Sequence, residues 1–251
     1  RDMTLPWLTA AGSFALTGML AVVLMVETRR ATGDGILSRR SLLRTVREGL
    51  IAVHDLPVLR LLCLLTLGLA FATLPAQHLS WPRLQSLSGQ GMWLMGWIWA
   101  LFNLASLTGS AMLPRLLGQR RRAVALSVIT VWRGLMLTMA AVATALLPTL
   151  AGLLLMEVGF GLSEPLLQAW LNEHIPPERR ATVLSVRAMC LTLGQGTGLL
   201  CLGRIARDAG IPAAWLTSAL ILVLIAPVFL MLARRAEAAA LYAITDEDST
   251  P

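Results

Sequence analysis

Seven runs of about 20 predominantly apolar residues dominate the chain, at roughly 5 to 26, 58 to 77, 91 to 114, 123 to 147, 149 to 171, 182 to 203 and 212 to 233. A helix rising about 1.5 Å per residue needs about 20 such residues to cross a hydrocarbon core of about 30 Å. Lipid holds no water to satisfy free N–H and C=O groups, so runs this long must be helices. The sequence therefore predicts an all-α, polytopic membrane protein with seven transmembrane helices. Only 14% of the 251 residues are charged, against about 25% in a soluble domain, which leaves too little polar surface to coat a water-soluble globule. Pro6, Pro57, Pro114, Pro148, Pro176, Pro177 and Pro212 fall at or near the ends of runs, where a missing N–H costs little. Pro75, Pro165 and Pro227 fall within or close to them.

The net charge of +7 comes from arginine, since the chain has no lysine. Such a balance would fit nucleic acid, but the arginines sit in loops between apolar runs and exclude that partner. Arg29, Arg30, Arg39, Arg40, Arg44, Arg47, Arg60, Arg115, Arg120, Arg121, Arg122, Arg179, Arg180, Arg234 and Arg235 flank one side, and only Arg1, Arg83, Arg204 and Arg207 the other. The positive-inside rule makes the richer side cytoplasmic. Trp7, Trp81, Trp93, Trp97 and Trp215 cluster toward the opposite ends, as interfacial anchors do. The expected location is a bacterial-type inner (plasma) membrane, multi-pass, with the C-terminus cytoplasmic. Seven crossings put the N-terminus outside, yet the sequence from Arg1 shows no signal-peptide pattern. Of a complete seven-span protein and the back portion of a longer one, the second is the expectation. Cys63, Cys190 and Cys201 lie in apolar runs and read as small buried hydrophobes rather than a disulfide frame or metal site.

This division gives a first membrane helix within 1–27, a cytoplasmic linker at 28–57, a six-helix bundle at 58–233 and a cytoplasmic tail at 234–251. In the linker Leu42, Leu43, Val46, Leu50 and Val53 recur at helical spacing among Arg44, Arg47 and Glu48. That pattern fits an amphipathic helix on the membrane surface, or equally a linker helix packed on neighbouring loops. The tail from Glu237, ending in Asp246, Glu247 and Asp248, is expected to be disordered.

Four spans carry phased polar stripes. Cys63, Thr66, Ala70, Thr73 and Gln77 mark the second, and Met92, Gly96, Trp99, Asn103, Ser106 and Ser110 the third. Glu157, Gly161, Glu164, Gln168 and Asn172 mark the fifth, and Ser185, Ala188, Thr192 and Gln195 the sixth. Spacing by three and four places each set on one helix face. Gly194 and Gly198 fit close helix packing, whereas Gln77, Asn103, Gln168 and Gln195 fit either a wet cavity or hydrogen bonds between helices.

Charges inside spans are more restrictive. At about 2.5 to 3.5 kcal/mol each, Arg133, Glu157, Glu164 and Arg187 would together cost on the order of 10 to 14 kcal/mol if unpaired. Counted from the cytoplasmic ends, Glu164 and Arg187 lie about 12 and 10 Å deep, Arg133 about 16 Å and Glu157 about 22 Å. Glu164 thus has Arg187 at nearly its own depth, a candidate structural or gating lock. Glu157 is the deepest, and a carboxylate in apolar surroundings takes up protons more readily than one in water. It is a candidate for proton coupling or cation binding, or else for an ion pair with Arg133 that locks two helices. No Asp lies in a span, no HExxH occurs and no intramembrane Ser has a His at its depth. Neither an enzyme nor a cofactor or metal site is expected.

The stretch Asn172-Glu-His-Ile-Pro-Pro-Glu-Arg-Arg-Ala-Thr-Val-Leu-Ser185 resembles the connection between the tenth and eleventh helices of major facilitator superfamily transporters. Gly194 to Gly203, followed by Arg204-Ile-Ala-Arg-Asp-Ala-Gly210, resembles that family's eleventh helix and its outer exit. Val26-Glu-Thr-Arg-Arg30 is similar to the end of its sixth helix. Ser110 to Arg122 occupies the place of the family's glycine, acid and basic loop signature. There Ser110 stands for the leading glycine and Pro114 for the acid, while Arg115, Gly118, Arg120 and Arg121 remain. The resemblance identifies the chain with the sixth helix plus the C-terminal six-helix half. It implies a secondary transporter that rocks two halves about a midplane site, with the seventh, eighth, tenth and eleventh family helices lining the path.

On that basis the substrate or ion pathway is expected to include Thr66, Thr73, Gln77, Trp99, Asn103, Glu157, Glu164, Gln168, Thr192 and Gln195. Charge-pair or gating roles fall to Arg133, Arg187, Arg120, Arg121, Glu178 and Arg179. Expected partners are a small-molecule substrate, protons, membrane lipid, and either the first five family helices or a second copy. Trp99 beside Asn103 and an acidic tenth helix would suit a partly apolar or cationic compound. The alternative is a non-transporting membrane protein whose stripes are dry helix contacts and whose linker binds a partner.

Overall fold

A computed structural model of the chain describes residues 11–20, 57–89, 92–116, 122–174 and 180–247. The chain divides into two units, Arg1–Thr45 and Val46–Pro251. In the first, the described part is α1, Ala11–Leu20, a short apolar helix. The second holds α2 (Pro57–Ser88), α3 (Met92–Leu116), α4 (Arg122–Val142), α5 (Leu146–His174), α6 (Arg180–Ala209) and α7 (Ile211–Glu247). The described residues form no strand. Among them, five helices are long and apolar enough to cross a membrane: α2, α4, α5, α6 and α7. At 25 residues, α3 also has the length of a crossing. The linker helix expected at 28 to 57 lies outside the described residues except for Pro57.

Several elements run past their expected ends. α2 continues through Pro75 and Pro82 to Ser88; a helix in lipid tolerates a proline where neighbours satisfy the carbonyl it frees. The same logic is visible at Pro165 in α5. Its missing N–H frees the carbonyl four residues back, at Gly161, and Ser110 Oγ of α3 donates to that oxygen at 2.9 Å. α6 extends to Ala209, and one residue, Gly210, then turns the chain into α7 with φ +91°. Only glycine takes that left-handed conformation without steric cost. The tail expected to be disordered from Glu237 is helical to Glu247, as its run of Ala238, Ala239, Ala240, Leu241 and Ala243 favours.

In the second unit α2 packs chiefly on α6 and α7, α4 on α5 and α7, and α3 on α5. One buried cluster joins Ala72, Leu84, Phe102, Leu137, Leu153, Trp215 and Leu222; another joins Leu62, Leu65, Leu126, Leu166, Trp170, Phe229 and Leu232. Trp215 is fully buried, and its Nε1–H donates to the Ala76 carbonyl at 3.1 Å, tying α7 to α2.

Gly194 and Gly198 serve close packing. A Cβ on Gly198 would meet the Phe71 carbonyl oxygen and come within 2.8 Å of its Cα; one on Gly194 would meet the Leu67 carbonyl oxygen and come within 2.9 Å of Ala70 Cβ. Around Gly196 the space is open. Gly198→Val should therefore lower stability by about 1–3 kcal/mol through overpacking against backbone. Gly196→Ala, relieved of glycine's helix penalty, should be neutral or raise it by up to about 1 kcal/mol. Thermal unfolding of the two variants in detergent checks the contrast, and equal losses would contradict it.

Candidate functional site

The stripe on α2 is buried between helices rather than turned outward. Thr66, Ala70, Thr73 and Gln77 line one wall of a cavity of about 380 Å³, with Leu69 and Leu74 beside them. α5 supplies Phe160, Ser163, Glu164, Leu167 and Gln168, and α6 supplies Arg187, Leu191 and Gln195. α4 closes it with Leu126, Thr130 and Arg133, and α7 adds Phe229. Residues spaced by three and four share a helix face, so most of the α2 stripe, Glu164 and Gln168 of the α5 stripe and Gln195 of the α6 stripe reach one space.

Arg133 is the most constrained group there, at 3% exposure. Its stem passes Gly159, where a Cβ would come within 2.6 Å of Arg133 Cγ, so the glycine is the notch that admits it. Its guanidinium donates from NH2 to Thr73 Oγ1 at 3.0 Å and lies 5.3 Å from the centre of the Phe160 ring. A desolvated cation over an aromatic face gains about 2 kcal/mol, comparable with the cost of holding one charge at membrane depth. Glu157 and Glu164 both attract it electrostatically.

Glu157, 5% exposed, accepts a hydrogen bond at Oε1 from Gln77 Nε2 at 2.8 Å. Arg133 gives its bond to Thr73 and Glu157 takes one from Gln77. Each of the two charges offered by the sequence as an ion pair is thus held by its own neutral partner. Glu164 and Arg187 do pair, with NH2 3.5 Å from Oε2. The carboxylate is 41% exposed and the arginine 12%, so the bridge sits at an open edge and is worth less than a buried one.

The structure brings Thr66, Thr73, Gln77, Glu164, Gln168, Gln195, Arg133 and Arg187 to the cavity wall. Glu157 stands behind that wall, bonded to Gln77. Trp99, Asn103 and Thr192 are not brought there. Trp99 is 52% exposed and stacks on Trp81 with ring centres 5.6 Å apart. Asn103 turns its amide to the Trp99 carbonyl, and Thr192 its hydroxyl to that of Ala188. The reason is packing: α3 lies against α5, and α4 takes the wall that the resemblance gave to the eighth helix. Arg120, Arg121, Glu178 and Arg179 lie outside the described residues. Thr130, Phe160, Ser163 and Phe229 also line the cavity. Of these, Thr130 carries a sequence signal, sitting three residues before Arg133 on the same face.

Gln77→Leu leaves Glu157 buried without its donor and should cost about 1–3 kcal/mol. Adding Glu157→Leu removes the stranded acceptor and should restore most of that loss. Melting curves of the single and double variants in detergent test this, and a double variant less stable than Gln77→Leu would contradict it.

The chain matches the sequence profile of the Major Facilitator Superfamily over residues 3–198 and, in an overlapping stretch, 58–247. No curated protein and no solved structure matches it. The profile covers well over half of the residues, in a chain whose helices converge on a cavity with polar side chains in its wall, and the chain accordingly belongs to the Major Facilitator Superfamily, a family of membrane transporters of small molecules.

Proposed function

We propose that this chain forms substrate-binding helices of a secondary active transporter that works by alternating access and is coupled to protons through Glu157. The observation that carries the reading is the convergence of Thr73, Gln77, Gln168, Gln195 and Arg133 from four helices on one cavity. Dry contacts between membrane helices need small residues and leave no such space. A midplane polar site flanked by apolar clusters is what rocking of two halves requires.

Coupling rests on the surroundings of Glu157. It is buried, linked to the cavity through Gln77 and within the field of Arg133. A proton arriving at Glu157 changes the charge facing Arg133, and through Thr73 and Gln77 the polarity of the α2 wall. Binding of substrate and of proton are then linked by necessity. The arginine distribution supports a cytoplasmic C-terminus and a bacterial-type inner membrane.

Reconstituted full-length protein, in liposomes enclosing a pH-sensitive dye, provides the test. A panel of small organic acids, amines and neutral compounds is added outside, and proton flux and compound uptake are followed together. Wild type should move protons with at least one compound. Glu157→Gln should still exchange that compound down its own gradient but move no protons with it. Unchanged proton flux in Glu157→Gln would reject its role, and no flux with any compound would reject transport.

A further inference from the structure

Three buried polar atoms on three helices of the cavity lack a hydrogen-bond partner: Thr66 Oγ1 on α2, Arg133 Nε on α4 and Arg187 Nε on α6. Thr66 and Arg133 are each 3% exposed, so water outside the protein does not satisfy them. Buried donors are costly when unmatched, and a guanidinium has donors only. Unmatched groups thus stand along three helices of the wall, and two of the three are guanidinium nitrogens that can only donate. Charge points the same way. Arg133 and Arg187 both line the space, whereas among the described residues Glu164 is its one lining carboxylate and is already engaged by Arg187. A cation entering would meet two guanidinium groups and compete with one of them for Glu164. The rest of the wall, including Leu69, Leu126, Leu167 and Phe229, is apolar.

Building on the transporter reading above, we infer that the cavity takes a small organic anion. Its carboxylate is received by Arg133 with Thr66, and its apolar body lies against the leucines and Phe229. This replaces the partly apolar or cationic compound that Trp99, Asn103 and an acidic helix implied, because Trp99 and Asn103 do not reach the cavity and Glu164 is paired. A guanidinium with a carboxylate forms a charge-assisted pair, stronger than a neutral hydrogen bond. Discrimination between an acid and its uncharged amide is thus the signature of Arg133.

The experiment measures binding of radiolabelled benzoate to full-length protein in phosphatidylcholine nanodiscs, with benzamide and benzylamine as competitors. Wild type should bind benzoate saturably, and both competitors should be at least tenfold weaker than unlabelled benzoate. Arg133→Gln should weaken benzoate at least tenfold while leaving benzamide unchanged, erasing the preference; Arg133→Lys should keep part of it. Should Arg133→Gln fail to fold, Thr66→Val reads the same site and should weaken benzoate about threefold or more with little effect on benzamide. The proposal is overturned by absence of saturable benzoate binding, by preference for benzylamine, or by displacement of benzoate on adding phosphatidylglycerol, which would assign the site to a lipid head group. It is overturned equally if folded Arg133→Gln, or Thr66→Val where Arg133→Gln does not fold, binds benzoate as wild type does. In liposomes, uptake of benzamide or benzylamine without benzoate would leave the transporter reading standing and remove the anion. Failure of all three to bind or move would remove both.

Discussion

A guanidinium cannot be held deep among apolar helices without donors, acceptors and aromatic faces gathered around it, and Arg133 imposes that condition on the bundle. Its stem needs the gap at Gly159, its NH2 needs Thr73, and its flat face needs Phe160. Those three residues belong to α5 and α2, so satisfying one side chain of α4 sets the approach of three helices. Glu157 follows from the same arrangement: with Thr73 occupied by Arg133, the next turn of α2 presents Gln77 to the carboxylate. The cavity is the space left between helices whose facing sides carry polar groups and cannot collapse into a dry contact.

Close packing at the other contacts makes room for that opening. Gly194 and Gly198 bring α6 against the α2 backbone, while Ser110 and Gly161 bring α3 onto α5 where Pro165 has freed a carbonyl. These contacts use small residues and hydroxyls, the means by which membrane helices associate when burial of apolar surface offers no preference over lipid. The cavity is enclosed by α2, α4, α5 and α6 with Phe229 of α7, so a change of charge at Glu157 or Arg133 acts on more than one helix.

Helices, polar stripes and intramembrane charges were legible in the sequence because each has a period or a penalty attached. Thr66, Thr73 and Gln77 are spaced to share a face, and the structure gives that face to the cavity. Glu164 and Arg187 lie at matching depth, and they meet. Periodicity identifies a face without saying what the face meets. Trp99 and Asn103 have the same spacing as the α2 stripe yet lie outside the cavity, since α3 packs on α5. Arg133 shows the converse: with only Thr130 beside it on its face of α4 it makes no stripe, and its place in the wall follows from tertiary packing. Helix ends were the least legible: the second run was expected to end near residue 77, yet α2 continues to Ser88 with Pro75 and Pro82 inside it.

The central claim, a water-accessible space between α2, α5 and α6 within the membrane, is tested most directly by cysteine accessibility. With Cys63, Cys190 and Cys201 replaced by alanine, single cysteines at Thr73, Gln168 and Gln195 should react with a membrane-impermeant thiosulfonate in intact membranes. Cysteines at Leu64 and Leu224, each 65% exposed on the outside of the bundle, should be shielded by lipid and remain unreactive. Reaction at the outer pair with none at the three cavity positions would contradict the account.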